Sequence, residues 1–179
     1  LDEGLLRDYC EYRGLRLEDI PDSLISTILG GIVSAIESYT GRVIGERRFT
    51  DHFPPGGPRF ILKHYPVQSI LKVTVGGVEV TDYTLNDYYG YVVLPASDKE
   101  VVVEYIAGDE ENKSLYESLI LESFYERIYE YRHGMYKGLK AVREGDVQLT
   151  YYSGVGWLPL HVQERLEGLK RPMVGVLQG

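Results

Sequence analysis

The sequence predicts an α+β fold: an antiparallel helical core with a small antiparallel β insertion between the first long helix and the C-terminal helices. Three observations lead there. A helical apolar stripe runs from Leu24 to Tyr39, alternation dominates from Val43 to Ala107, and helical periodicity returns from Ser114 to about Arg132. On this reading residues 1–179 form one domain. The helical core occupies about 1–42 and 109–171, the β insertion about 43–108 and a C-terminal tail 172–179.

A short opening helix is expected first, with Leu5, Leu6, Tyr9 and Tyr12 on one face and Gly14 ending it. The clearest helix follows from Pro21, a residue suited to a first helical turn. Its apolar positions are Leu24, Ile25, Ile28, Leu29, Ile32, Val33, Ile36 and Tyr39. Burying such a stripe contributes on the order of 10 kcal/mol before entropy costs. Gly41 supplies the stop. Gly30 and Gly31 weaken the helix by roughly 1 kcal/mol each relative to Ala, and close helix packing is one use for them.

Strands are expected at Arg59–His64, Ile70–Val75, Val78–Leu85, Tyr91–Leu94 and Val101–Ile106. Gly76-Gly77 suits a two-residue hairpin turn, and Asn86–Gly90 and Pro95–Lys99 read as further turns. Pro54-Pro55-Gly56-Gly57-Pro58 reads as an exposed loop. In the next helix, Leu115, Leu119, Phe124 and Ile128 form the stripe, joined by Tyr116, Ile120 and Tyr131. Glu117, Glu122, Glu126 and Glu130 fill much of the other face, and Gly134 closes it. A strand at Asp146–Tyr152, a turn at Gly154-Val155-Gly156 and a last helix near Leu158–Leu169 complete the pattern. Val162, Leu166 and Leu169 share one side of that helix. Met173–Gly179 reads as a free or partner-bound strand.

Composition narrows the function classes. With 44% hydrophobic and 26% charged residues in 179, the chain can bury a real core. No window approaches the roughly 18 unbroken apolar residues of a membrane span. Asp2 and Glu3 do not suit the basic start of a signal peptide, so a cytoplasmic product is expected. The single cysteine, Cys10, lies between Asp8 and Glu11, which argues against a reactive thiol. A formal charge of −8 argues against wrapping nucleic acid by phosphate neutralisation, though not against surrounding DNA without gripping it. The 16 tyrosines crowd Tyr83–Tyr91 and Tyr116–Tyr136. They suit either half-buried partner surfaces or a Tyr-rich core edge.

The motifs of catalysis are missing. His52, His64, His133 and His161 have no metal-ligand spacing, and no HExxH, CxxC, EF-hand, P-loop or nucleophile-elbow pattern occurs. Asp51-His52 is expected to be a solvated pair beside the Pro-Gly loop. Asp109, Glu110 and Glu111 precede a helix and are expected to compensate its N-terminal dipole. Asn112-Lys113-Ser114 matches a glycosylation sequon, without weight in an unsecreted chain. No catalytic residue, metal site or cofactor is assigned, and a structural role is expected.

Three phrases in order carry a resemblance. They are Glu37-Ser38-Tyr39-Thr40-Gly41-Arg42 at the helix end, Tyr65-Pro66-Val67-Gln68-Ser69-Ile70 in the insertion, and Val103-Glu104-Tyr105-Ile106-Ala107-Gly108 at its last strand. Together with the terminal stretch from Leu158-Pro159 to Arg171, they resemble the head–tail connector (adaptor) proteins of tailed bacteriophages, over roughly Ile20–Arg171. Asp109-Glu110-Glu111-Asn112 departs from the proline-containing loop of many relatives.

The resemblance implies a virion neck protein at the head–tail interface, made in the host cytoplasm. It would form a ring, twelvefold by expectation, beneath the portal and extend the DNA channel. Implied partners are the portal, neck or tail proteins and further copies of itself. DNA passes without sequence-specific binding, and no membrane is involved. By position, Leu166, Leu169, Lys170, Arg171 and Pro172 with the tail would dock into the portal. The competing expectations are another neck or tail-completion subunit, or a small α+β hydrolase or ligand-binding protein using Tyr83–Tyr91 with Asp51 and His52.

Overall fold

The structure, a computed structural model, describes residues 3–133 and 158–172. The helices are α1 (Glu3–Tyr12), α2 (Asp22–Thr40), α3 (Lys113–Arg132) and α4 (Leu160–Leu166), the last followed by a 3₁₀ turn at Glu167–Leu169. Seven strands lie between α2 and α3: β1 (Arg47–Phe53), β2 (Arg59–Ile61), β3 (Val67–Val75), β4 (Val78–Glu79), β5 (Thr84–Asn86), β6 (Tyr91–Val93) and β7 (Val101–Ala107). The α+β class is therefore as the sequence indicates. The chain divides into two compact units, 1–39 with 114–168, and 40–113 with 169–179. Residues 169–172 thus group with the strands, whereas periodicity alone places them beside the last helix.

In the helical unit the stripe of α2 is buried at Leu24, Ile25, Ile28, Ile32, Ala35 and Ile36, with Leu29 and Val33 half-buried. The expected face of α1 is wrong by about a third of a turn. Leu6 and Cys10 are fully buried, while Leu5 is exposed and Tyr12 is 90% exposed. An i, i+4 pair shares a face, and Leu6–Cys10 is that pair here; the cysteine is a core residue, in keeping with an unreactive thiol. Along α3 the buried set is Tyr116, Leu119, Ile120, Leu121, Ser123, Phe124 and Ile128, with Leu115 and Tyr131 only half-buried. Val162 and Leu166 are fully buried in α4. Gly30 is exposed, and a Cβ there would meet nothing within 4 Å, so close packing is not its role. Among the described residues, no helix is long and apolar enough to cross a membrane. The expected Gly134 stop, Asp146–Tyr152 strand, Gly154–Gly156 turn and Met173–Gly179 tail strand lie outside the described residues.

The β unit contains a four-stranded sheet in the order β1-β7-β3-β4 and a three-stranded sheet in the order β2-β6-β5, all antiparallel. Phe60 and Val92 of the smaller sheet share one core with Val73, Val101, Val103 and Tyr105 of the larger. β7 alternates buried and half-buried residues along its whole length, as a central strand with one core face should. Gly76 and Gly77, with φ +58° and +82°, make the tight β3–β4 turn. Expected Val78–Leu85 is not one strand. It splits into β4 and β5, which belong to different sheets. β1 has no counterpart among the expected strands because its inward positions read Phe49, Asp51, Phe53, and a carboxylate interrupts the apolar alternation.

Candidate functional site

Asp51 and His52 are adjacent in β1, so their side chains leave opposite faces of the strand. They form no pair, and the expected solvated couple is overturned. His52 is exposed beside Glu100, with Nδ1 3.1 Å from Oε1. Asp51 is 1% exposed. Its Oδ2 accepts from the Tyr105 hydroxyl at 2.8 Å and from the Lys63 amide at 2.8 Å. The Tyr105 oxygen accepts in turn from the His64 amide at 3.1 Å, and the His64 ring stacks on Phe49 with centroids 3.6 Å apart. Burial drives the Tyr105 phenol far above its ordinary range. A neutral, fully buried phenol locked onto a carboxylate ties β1, β7 and the β2–β3 turn together; it is not poised to exchange protons with a substrate.

Asp109 is equally buried, and its role differs from dipole compensation. Its Oδ2 accepts from Arg42 Nη1 at 2.8 Å, and Asn112 Nδ2 donates to both of its oxygens. Pairing a buried carboxylate with a half-buried guanidinium outweighs a helix-end effect of a few tenths of a kcal/mol to about 1 kcal/mol. Glu110 and Glu111 stay exposed, and Glu110 reaches Lys113 at 3.7 Å.

The five residues expected to meet a partner fall into distinct environments. Leu166 is fully buried in the helical unit. Leu169 and Pro172 are half-buried, and Lys170 is exposed. Arg171 lies against the β unit. Its amide donates to Thr40 O at 2.7 Å, its Nη2 to Leu62 O at 3.0 Å and Tyr89 O at 3.4 Å, and its Nη1 to Lys63 O at 3.3 Å. Its guanidinium carbon lies 5.2 Å from the centroid of Tyr65, and that of Arg42 lies 5.1 Å from the same ring. Arg42 Nε also donates to the carbonyl of Leu169. Three phrases singled out in the sequence thus meet in one place: Thr40-Gly41-Arg42, Tyr65-Pro66 (a cis peptide) and the terminal Arg171. Asp109, one residue beyond the third strand-end phrase, joins them. The phrases were legible in the sequence, but not that they touch.

The tyrosines divide between core and surface. Tyr105 and Tyr116 are core residues, whereas Tyr12, Tyr88 and Tyr129 are 90%, 64% and 40% exposed. Tyr88 and Tyr89 meet edge to face at 4.8 Å, and Tyr89 stacks with Tyr91 at 6.4 Å. In the helical unit Tyr9, Tyr125, Tyr129 and His133 form a continuous aromatic row, with Arg13 4.6 Å from the Tyr125 centroid.

A shallow pocket of about 200 Å³ in this unit is lined by Tyr9, Arg13, Glu122, Tyr125, Glu126 and His161. Its main carboxylate is already engaged: Arg165 Nη1 donates to both oxygens of Glu122, at 2.9 and 2.8 Å. Among the described residues, no group of three His, Cys, Asp or Glu side chains is arranged to hold a metal ion. Burial pushes the Cys10 thiol up to about 11, which makes it a poor nucleophile at neutral pH.

No family model matches the chain, and no curated protein sequence does. Solved structures do. A chain from the virion of a native gene transfer agent particle is 18% identical over 100% of this chain and 92% of its own, with a TM-score of 0.59. A chain from the neck of an empty gene transfer agent particle, computed with C6 symmetry, is 16% identical over 96% and 93%, with a TM-score of 0.53. One from the neck of a native particle, computed with C12 symmetry, is 15% identical over 97% and 93%, with a TM-score of 0.52. At these identities the likeness is one of fold: nearly end to end, this chain shares the fold of chains found in particle necks.

Proposed function

We propose that this protein is a non-catalytic structural subunit of a phage-like virion neck. It assembles as a ring between the portal and the downstream neck or tail proteins and extends the channel through which DNA passes. The observation that carries this reading is the end-to-end fold likeness to chains from gene transfer agent necks. Those necks were computed with C6 and C12 symmetry, which supports a homo-oligomeric ring.

The chemistry suits the role. A closed ring uses heterologous contacts, two different patches of each copy, and Tyr12, Tyr88, Tyr129 and Leu160 offer exposed apolar bodies for them. The formal charge of −8 repels phosphate over a Debye length of roughly 8–10 Å at ordinary salt, so DNA slides rather than sticks. Portal docking is assigned to the C-terminal segment, with Leu169, Lys170, Arg171 and Pro172 as its described members. Leu166 contributes by seating α4.

Co-sedimentation of the purified protein with the portal ring of the same genome, followed by particle imaging, tests the assignment. A stoichiometric second ring coaxial with the portal is expected. A folded protein that binds a downstream neck component and ignores the portal would move it to another position in the neck. Truncation after Pro172 is the cleaner test of docking, because a cut before Leu169 also removes Arg171 from the β unit. The truncated chain is expected to keep its thermal midpoint and lose portal binding.

A further inference from the structure

Arg171 is held in a way that a surface arginine is not. Its acceptors among the described residues are four neutral carbonyls, those of Thr40, Leu62, Lys63 and Tyr89, rather than a carboxylate. The Tyr65 ring adds a π surface at 5.2 Å. Two glycines complete the slot. A Cβ on Gly41 would stand 3.1 Å from Arg171 Cβ, and one on Gly90 would stand 3.1 Å from Nη2. Both glycines have positive φ, +67° and +70°, which side chains rarely adopt. The slot is therefore shaped by backbone and fitted to a planar fork of donors. A lysine ammonium, a compact point charge, matches it poorly.

We propose that Arg171 is a positioning residue: it clamps residues 169–172 to the β unit and fixes the point from which the tail beyond Pro172 reaches its partner. The second half of this statement rests on the neck-subunit reading above; the first half does not. On this view Arg171 spends its donors within its own chain, and the contacts made to the portal come from Leu169, Lys170, Pro172 and the residues that follow. Fixing the root of a short binding segment lowers the ordering cost of docking, so the clamp acts on affinity without touching the partner.

The test uses full-length R171A and R171K. In the isolated protein, cleavage after Lys170 by a lysine-specific protease reads the clamp directly. Cleavage about tenfold faster is expected for R171A, because local opening is then no longer opposed by the slot. A smaller acceleration is expected for R171K, with far-UV circular dichroism and thermal midpoint unchanged in both. R171K keeps the stem and the charge, and it carries the test if R171A does not fold. Portal co-sedimentation then reads the consequence, with weaker binding by R171A but a smaller loss than truncation after Pro172 causes. Cleavage of R171A at the wild-type rate overturns the clamp. Faster cleavage with wild-type portal binding overturns the positioning role. Failure of the wild-type protein to bind the portal sinks the functional reading instead, and leaves the cleavage result standing.

Discussion

In the helical unit the fully buried side chains include Leu6, Ile32, Ile36, Tyr116, Leu119, Phe124, Ile128 and Leu166, and Ser123 is the buried polar residue among those described. In the β unit Asp51 and Asp109 are as deeply buried as the valines around them. One unit is organised by apolar stripes that a helical period announces. The other adds to its apolar core buried charged and phenolic groups, whose partners include residues tens of positions away. Loss of packing should damage the first in proportion to the cavity left. Loss of a partner should damage the second by leaving a charge unpaired in a poorly solvated place.

The two largest expected effects set these rules side by side. Phe124→Ala removes a fully buried ring and should cost about 3–5 kcal/mol. Asp109→Ala strips Arg42 of its carboxylate and should cost a comparable 3–5 kcal/mol, although it removes far less apolar surface. Amide exchange mapped along the chain should show the first loss in the helical segments and the second in the strands. Equal loss throughout both units would mean that the two are stabilised as one.

Next in size is Tyr105→Phe, which keeps the ring and deletes the donor to Asp51, at a cost of about 1–3 kcal/mol. It carries a pH signature as well. The folded-state value of Tyr105 is raised above its ordinary 10.0, so the native state keeps a proton that the unfolded chain releases. This contribution is intact below about pH 10 and is lost as pH rises beyond it. Denaturant titrations should show wild-type stability falling in that alkaline window, with a shallower fall in Tyr105→Phe. An identical slope in the two proteins would mean that the phenol is not sequestered.

Gly30→Ala should go the other way. The site is exposed, helical and open, so the substitution should raise stability by about 0.5–1 kcal/mol in thermal or denaturant unfolding. Smallest is Glu104→Gln, which breaks the exposed pair with Arg48 and should change stability by roughly 1 kcal/mol or less. A large loss there would show that the outward sheet face also relies on paired charge.

The same contrast explains what could be read without the fold. The buried positions of α2, most of those in α3, and the Gly76-Gly77 turn follow from local period and backbone chemistry, and the structure has them where the sequence indicates. On α1 a ten-residue helix offers too few turns to choose between the Leu5–Tyr12 and Leu6–Cys10 faces. β1 was hidden because Asp51 occupies a core position, which Tyr105 and both the amide and the ammonium of Lys63 make tolerable. Val78–Leu85 reads as one strand because nothing local reports that the chain changes sheets within it.

By itself, then, the sequence determined the α+β class and the long helices, because those depend on neighbours along the chain. Only the tertiary structure decided that Thr40, Leu62, Tyr65, Tyr89 and Arg171 share one site, and that Arg42 belongs to Asp109. A guanidinium leaves water only when several acceptors converge on it, and that convergence is a property of the fold, not of any one segment.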